Sequence, residues 1–80
     1  MFVTYILKSD ILDRYYVGYT SDINERLKKH NSGGSTWTRR GIPWKIVFVK
    51  KFVNKREAMQ FERYLKKMKS RRILEKYIAG

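Results

Sequence analysis

Cysteine is absent from this 80-residue sequence, which also has one histidine, one proline and seven acidic residues. The lack of cysteine excludes a disulfide scaffold and a thiolate zinc site, and a single histidine excludes a multi-histidine metal centre. No apolar run approaches the roughly 18 residues that cross a bilayer, and folded-type sequence starts directly after Met1, without the pattern of a signal or transit peptide. These absences predict a cytoplasmic protein, free or associated with the nucleoid, that has no membrane partner.

Positive charge is what the sequence has in excess. Lys and Arg number 19 against seven Asp and Glu, which gives a formal net charge of +12. Such a charge attracts polyanions and opposes compaction by self-repulsion. Apolar residues make up 42% of the chain and aromatic residues 15%, enough for a packed core, so disorder is not expected. The prediction is one basic domain over residues 1–80 that binds nucleic acid, either DNA or RNA.

Alternating β-rich residues predict two strands, at 2–8 and 14–20. The connection between them is short, so the two strands should pair as an antiparallel hairpin. Gly18 inside the second strand indicates either a bulge or a point where another group approaches the backbone closely.

Capping residues, apolar spacing and glycine stops predict the rest of the chain. A nearly continuous apolar run predicts a third strand over 44–52, with much of both faces covered. The other predicted segments are a helix from about Asp22 to Asn31, a basic loop over 33–43, a helix of about 13 residues opened by Asn54 and Glu57, and a last helix capped by Ser70. The predicted fold is α+β: a small three-stranded antiparallel sheet flanked by helices, in the order β-β-α-β-α-α.

One acidic residue on the predicted helix that Asn54 opens lies beside the apolar stripe of that helix. At helical spacing, Glu62 is about 40° from Ala58 and about 60° from Leu65 around the helix axis. One interpretation is an ion pair with Lys66, four residues later, in the favourable Glu-before-Lys orientation. The other is a carboxylate that binds a divalent cation in a basic cleft. Helix geometry alone leaves both interpretations open.

Arg26 and His30 are also four residues apart on a predicted helix. They belong either to a solvated basic face or to a pair directed toward a phosphate, where Arg offers several donors and His a proton switch near neutral pH. Tyr5 and Tyr16 lie on neighbouring predicted strands, where a buried tyrosine usually packs in the core with its hydroxyl hydrogen-bonded. Taken separately, neither pair specifies a function.

Taken together, these residues form a recognisable order. Val3-Thr4-Tyr5 is followed by Tyr16-Val17-Gly18, then by Arg26 on the first helix and Glu62 on the next. This arrangement resembles the GIY-YIG nuclease superfamily over almost the whole chain, and among its members the small stand-alone, single-domain proteins. The resemblance implies a compact domain with a small antiparallel sheet flanked by helices, and cleavage of DNA phosphodiesters with one divalent metal.

The resemblance also implies roles for individual residues. Tyr16 matches the motif tyrosine that activates the attacking water, and Tyr5 the tyrosine that orients the nucleophile or shares that role. Arg26 matches the phosphate-binding arginine, and Glu62 the glutamate that binds the metal, Mg²⁺ or Mn²⁺. His30 matches a histidine found four residues after the arginine in some branches, including homing endonucleases.

The implied chemistry has a condition that concerns the tyrosines. A phenol with an ordinary pKa of about 10 is a poor base at neutral pH, so this role requires nearby cations that favour the phenolate. A single metal-binding carboxylate suits Mg²⁺, which keeps several waters and takes other ligands from substrate phosphate.

Nucleic-acid binding is predicted for basic side chains around these residues and for one aromatic residue. Trp37 in the basic loop can stack on an exposed base or anchor the loop against Pro43 or Trp44. The basic residues predicted to bind nucleic acid are Lys28, Lys29, Arg39, Arg40 and Lys66.

Three hypotheses follow. The first is a metal-dependent DNA endonuclease, structure-selective or non-specific, that acts on branched or single-strand-containing DNA in repair or recombination. The second is a weakly active or inactive DNA- or RNA-binding module on the same fold. It is motivated by departures from the family pattern. Val3-Thr4 stands in place of Gly-Ile, which is a common degeneracy, and Tyr19 stands in place of the lysine of the excision-repair branch. That branch also has an asparagine near the end of its last helices, and this sequence has no counterpart to it. The third is a small basic protein that binds structured RNA.

Overall fold

The computed structural model describes residues 1–34, 36, 38–68 and 70–80. Its strands are β1 (Phe2–Ser9), β2 (Arg14–Thr20) and β3 (Trp44–Phe52), and its helices are α1 (Ile23–Asn31), α2 (Lys55–Met68) and α3 (Arg71–Ala79), with a short 3₁₀ turn at Arg39–Gly41. The predicted α+β fold and its order β-β-α-β-α-α are confirmed. Within the described residues, no helix has the length and apolar character needed to cross a membrane.

The central strand of the sheet is β1, and the strand order is β2-β1-β3 with both pairs antiparallel. The β1–β2 register is regular from Val3 opposite Thr20 to Ser9 opposite Arg14. Side chains alternate between the two faces of β1. Tyr5 and Leu7 therefore share one core cluster, and Ile6 belongs to another.

The two clusters lie on opposite faces of the sheet. In the first, Tyr5, Leu7 and Trp44 are packed by the α1 residues Ile23 and Leu27. In the second, Ile6, Val17 and Leu65 are packed by residues of α2 and α3, among them Phe61, Leu74 and Tyr77. The helices thus cover both faces of a sheet whose strand β2 forms one edge.

The prediction that the third strand is covered on both faces was wrong. Strand β3 is the other edge of the sheet: its residues 46–48 are half-buried, and Lys45 and residues 49–51 are exposed. The strand buried on both faces is β1, which has all four residues from Thr4 to Leu7 buried. Apolar run length did not distinguish the edge from the centre, because Thr4 lies within the central strand and donates its hydroxyl to the carbonyl of Ala58 at 2.7 Å.

Each helix begins at the capping residue that the sequence predicted. The Asp22 carboxylate accepts the N–H of Glu25 at 3.1 Å, and the Ser70 hydroxyl accepts that of Ile73 at 3.3 Å. Asn54 accepts the N–H of Glu57 at 2.9 Å and donates its own amide to the Glu57 carboxylate at 3.1 Å. These side chains satisfy N–H groups that have no partner inside the helix.

The segment between α1 and β3 is closed by Asn31 and Trp44. The Asn31 side-chain amide donates to the carbonyl of Trp44 at 3.0 Å and accepts the Trp44 N–H at 2.6 Å. The Trp44 indole N–H donates to the carbonyl of Thr38 at 2.6 Å. Among its described residues, the segment predicted as an irregular loop contains a 3₁₀ turn at Arg39–Gly41, and hydrogen bonds hold Thr38 and the residues that flank the segment.

Gly18 is a point of close approach and not a bulge. It lies opposite Tyr5 in the uninterrupted β1–β2 register. A Cβ atom at this position would be 2.5 Å from the Tyr5 hydroxyl oxygen and 2.7 Å from the adjoining ring carbon. The Tyr5 ring therefore occupies the space that any side chain at position 18 would need.

We expect Gly18→Ala to lower the free energy of unfolding by about 1–3 kcal/mol, because the buried Tyr5 ring cannot move away without repacking the core. Urea unfolding of the variant and of wild type measures this difference. In a Tyr5→Leu background the cost should be smaller, since Leu leaves room for the methyl group. An equal cost in both backgrounds would show that the contact with Tyr5 is not its source.

Candidate active site

A polar cleft of about 340 Å³ lies beside β2. Three predicted site residues line it from three elements: Tyr16 from β2, Arg26 from α1 and Glu62 from α2. The cleft is also lined by Phe2, Gly18, Tyr19, Thr20, Ser21 and Lys55. Because β2 is an edge strand, helices packed on opposite faces of the sheet both contribute to this surface.

The other two predicted site residues lie beneath the cleft. Tyr5 is fully buried, and its hydroxyl is 3.2 Å from Nε2 of His30, which is 2% exposed. The His30 ring meets the Tyr16 ring edge-on, with 4.9 Å between centroids, and the Tyr5 and Tyr16 centroids are 6.4 Å apart. His30 also borders a smaller cleft of about 160 Å³ together with Tyr16 and Arg26. The structure therefore brings four of the five residues into direct proximity, with Glu62 joining them across the larger cleft.

Burial keeps the Tyr5 phenol protonated. Desolvation, reinforced by Tyr16 and by Glu62, raises the pKa of Tyr5 to about 12, although Arg26 acts in the opposite direction as a cation and hydrogen-bond donor. The condition that cations favour a phenolate is therefore not met at Tyr5. At neutral pH this residue is a neutral hydroxyl group in a fixed position.

His30 fits neither of the two sequence interpretations. It is buried, so it is not part of a solvated basic face, and its ring nitrogens face Tyr5 and Thr38, not an open phosphate site. Burial, and then the charges of Arg26 and Lys29, lower the pKa of His30 below its ordinary value. The imidazole is therefore neutral at neutral pH.

Both interpretations of Glu62 are compatible with its surroundings. Its carboxylate is 3.2 Å from the ammonium group of Lys66, which gives the ion pair, and it also lines the cleft. The Glu62 side chain is 14% exposed and that of Lys66 52% exposed, so the pair is open to solvent on the lysine side. A carboxylate has about four lone-pair sites, so one contact to Lys66 leaves acceptor capacity for a cation.

The residues present fit a divalent metal that is held mainly by water and substrate. In the described part of the chain, no group of three or more His, Cys, Asp or Glu side chains is placed to hold a metal, so an all-protein cage is not formed there. Mg²⁺ commonly uses one or two carboxylates together with waters and phosphate oxygens. Glu62 next to Arg26 provides one such carboxylate beside a phosphate-binding cation.

The predicted nucleic-acid-binding residues are exposed wherever the structure describes them. Lys66 lies 5.8 Å from the centre of the Tyr16 ring and also lines an adjoining groove of about 640 Å³. Trp37 lies outside the described residues. The remaining basic residues of this set are exposed on α1 and on the 3₁₀ turn, namely Lys28, Lys29, Arg39 and Arg40.

Basic residues outside the predicted nucleic-acid-binding set also border these depressions. Lys55 lines the cleft itself, and Arg14 lines the groove that continues from it. Lys55 precedes Glu62 by seven residues, so both lie on one face of α2, and this spacing was a usable signal. Arg14 had no comparable signal, because its place beside α2 depends on how the hairpin packs.

We expect the buried His30 to make stability depend on pH. Its pKa is lower in the folded state than the ordinary 6.5, so the unfolded chain binds a proton more readily. The free energy of unfolding should be fully maintained above pH 6.5 and should fall as the pH drops below 6.5 toward the folded-state pKa. Denaturant unfolding at several pH values measures this for wild type and for His30→Gln, which removes the titration. Parallel pH profiles for the two proteins would contradict the assignment.

The sequence matches known proteins over most of its length. The family profile of the GIY-YIG catalytic domain matches residues 1–77. A UPF0213 protein of Bacillus licheniformis is 50% identical over 64 residues, and the UPF0213 protein YazA of Bacillus subtilis is 45% identical over 65 residues. The matched regions cover 79% and 80% of this chain but only 65% of either relative.

A solved structure shares the fold of this chain. The solution NMR structure of a UPF0213 protein from Bacillus halodurans superimposes with a TM-score of 0.61 at 38% identity. The superposition covers 99% of this chain and 84% of that protein. The profile match over nearly the whole chain, the related sequences and the shared fold show that the chain belongs to the GIY-YIG family of the nuclease superfamily.

Proposed function

We propose that the protein is a divalent-metal-dependent endonuclease that hydrolyses DNA phosphodiesters. The observation that carries this proposal is the meeting of Tyr16, Arg26 and Glu62 in one cleft, from three separate elements. Family membership supports a nucleic-acid substrate. Recognition is structure-selective or non-specific and directed at branched or single-strand-containing DNA, in repair or recombination. The protein acts in the cytoplasm, free or at the nucleoid.

The metal belongs to this proposal through Glu62. When Mg²⁺ or Mn²⁺ is bound, it supplies Lewis-acid stabilisation to the oxygens of the scissile phosphate. Glu62 is the residue that would hold it, with Lys66 remaining at the rim as a second positive charge.

The burial of each residue determines its role in the remaining steps of hydrolysis. Arg26 borders the cleft and donates to the non-bridging phosphate oxygens, which stabilises the charge that develops on them. Tyr16 is half-buried and borders the same cleft, where its phenolate form would accept the proton of the attacking water. The water oxygen bonds to phosphorus, the bond from phosphorus to the 3′ oxygen breaks, and the departing 3′ oxygen takes a proton from solvent. Tyr5 is out of reach of substrate and serves as a fixed, protonated hydroxyl beside Arg26.

Basic side chains lie on two sides of Tyr16, where they can contact the phosphate backbone of duplex or single-stranded DNA. Toward α2 and α3, the groove beyond Lys66 is lined by Arg14 and Arg71, although Arg71 is paired with Asp13 at 2.8 Å. Toward α1, the exposed side chains of Lys28 and Lys29 follow Arg26 on its helix. Contacts of this kind bind phosphate without reading base identity, which supports recognition that does not depend on sequence.

Cleavage of branched, flapped and plasmid DNA with Mg²⁺ or Mn²⁺ tests the proposal. Glu62→Gln, Arg26→Ala and Tyr16→Phe should each lower kcat by at least about 10²-fold, because each removes a group that acts on the reacting phosphate or water. The matched controls are Glu25→Gln, an exposed carboxylate on α1, and Arg63→Ala, an exposed guanidinium adjacent to Glu62 in sequence. Both controls should retain wild-type rates.

Two results would contradict the nuclease assignment. Wild-type protein that cuts none of these substrates with either metal removes it outright. Cleavage that is equal in wild type, Glu62→Gln and Arg26→Ala would point to a contaminating activity.

DNA affinity should depend strongly on salt. If about six basic side chains neutralise phosphates on a duplex, log K should fall with log salt at a slope of about −5. Fluorescence anisotropy across a salt series measures the slope. Lys29→Ala or Lys66→Ala should each make it shallower by about 1. Lys76→Ala is the control, since Lys76 lines a separate apolar depression with Phe48 and Tyr77, and its slope should equal that of wild type.

A second candidate, a weakly active or inactive binding module, is favoured by the ion pair between Glu62 and Lys66. If that pair is the whole role of Glu62, Glu62→Gln removes a negative charge from a basic surface and leaves affinity unchanged or improved, in a protein without cleavage. Competition binding at fixed salt between duplex DNA, branched DNA and RNA hairpins distinguishes an RNA target from a DNA target. Preferential binding of the hairpins would identify RNA as the target.

A further inference from the structure

A line of hydrogen bonds runs from Tyr5 to the segment between α1 and β3. The Tyr5 hydroxyl is 3.2 Å from Nε2 of His30, and Nδ1 of the same ring is 2.7 Å from the hydroxyl oxygen of Thr38. All three side chains are buried, and Thr38 is only 1% exposed. The Thr38 carbonyl is held independently by the indole N–H of Trp44 at 2.6 Å. Thr38 is thus a fixed residue in contact with a ring whose other nitrogen faces the site.

The cation Arg26 favours one assignment of donors and acceptors in the hydrogen bonds among Tyr5, His30 and Thr38. A neutral imidazole has one donor and one acceptor nitrogen, whereas the hydroxyls at both ends can donate or accept. Arg26 is a cation close enough to the Tyr5 hydroxyl to oppose the rise in the pKa of Tyr5, so its N–H groups favour a Tyr5 oxygen that is free to accept. The Tyr5 proton is then best placed toward Nε2 of His30, which leaves the ring proton on Nδ1, facing Thr38.

We propose that Thr38 is a positioning residue of the proposed nuclease site: its hydroxyl oxygen accepts the Nδ1–H of His30 and so fixes the tautomer whose Nε2 accepts the Tyr5 hydroxyl. The proposal rests on the proposed function for its catalytic consequence. Thr38 does not touch substrate. It acts through His30 and Tyr5, and it leaves the Tyr5 oxygen free to accept from Arg26.

Removal of the Thr38 hydroxyl has a defined consequence. The Nδ1–H of His30 would become a buried donor without its acceptor, which is costly, so the proton moves to Nε2. Nε2–H then donates to the Tyr5 oxygen and competes with Arg26 for it. Arg26 is thereby displaced from the orientation in which it faces the cleft. The groups that face His30 are Arg26 and Lys29 from α1, Tyr5 from β1 and Tyr16 from β2, together with Thr38.

Two variants of Thr38 provide the test. Thr38→Val has nearly the same shape without the hydroxyl, and Thr38→Ser keeps the hydroxyl. Thr36→Val, an exposed threonine of the same segment, is the matched control. In ¹⁵N-labelled protein the one histidine of the chain reports its own tautomer through long-range ¹H–¹⁵N spectra. Cleavage rates over a range of DNA concentrations separate kcat from KM, and thermal unfolding monitors stability.

We expect His30 of wild type, Thr38→Ser and Thr36→Val to carry its proton on Nδ1. In Thr38→Val the proton should move to Nε2, and kcat should fall about tenfold, the rate equivalent of one buried hydrogen bond, with KM unchanged. A role limited to stability would instead lower the unfolding temperature and leave the kcat of the folded protein intact.

The contrary outcomes are separate for the two proposals. An Nε2–H tautomer in wild type, a Thr38→Val protein with wild-type tautomer and kcat, or a Thr38→Ser protein as impaired as Thr38→Val each overturns the role of Thr38. Absence of cleavage by wild type, with His30 protonated on Nδ1, overturns the proposed function and leaves the hydrogen-bond arrangement standing.

Discussion

The close contact between the Tyr5 ring and the backbone of Gly18 is the constraint on which the rest of the site depends. It places a bulky side chain of the central strand directly under an edge strand, with no Cβ to keep the two apart. The hydroxyl of that buried ring then needs partners, because an unpaired polar group in the core is costly. His30 on α1 supplies one at 3.2 Å, and Arg26 on the same helix is a cation that acts on this hydroxyl. The lack of a Cβ atom at Gly18 thus lets Tyr5 pack against β2 and contact His30 of α1.

Burial also gives Tyr5 and Tyr16 different chemical properties. Tyr5 lies in a dry environment that raises its pKa to about 12, so it acts as a neutral donor and acceptor. Tyr16 lies two residues before Gly18 on the edge strand β2 and borders two open depressions. Two residues of the same type, 6.4 Å apart, therefore have different access to water. This separation suits a reaction that requires one group at the substrate and another that holds its neighbours in place.

The sequence predicted the elements well, because local signals determine them. The caps at Asp22, Asn54 and Ser70 and the alternation in the hairpin are short-range features, and the structure follows them. Which strand is covered on both faces was harder to predict, because the polar Thr4 interrupts the apolar pattern of the buried central strand β1. The environment of His30 could not be predicted either. Its partners come from β1 and from the segment before β3, and only the folded chain shows that these surround one face of α1.

Two hydrogen bonds between the Asn31 side chain and the Trp44 backbone hold the two ends of the intervening segment together. The entropic cost of closing such a segment grows only slowly with its length. Residues added between Asn31 and Thr38 would therefore leave α1 and β3 in the same relation, and the anchoring of Thr38 by Trp44 would still hold the part nearest the site. The fold therefore tolerates a longer or differently charged segment at this place, while the hydrogen-bonded residues Tyr5, His30 and Thr38 keep their positions.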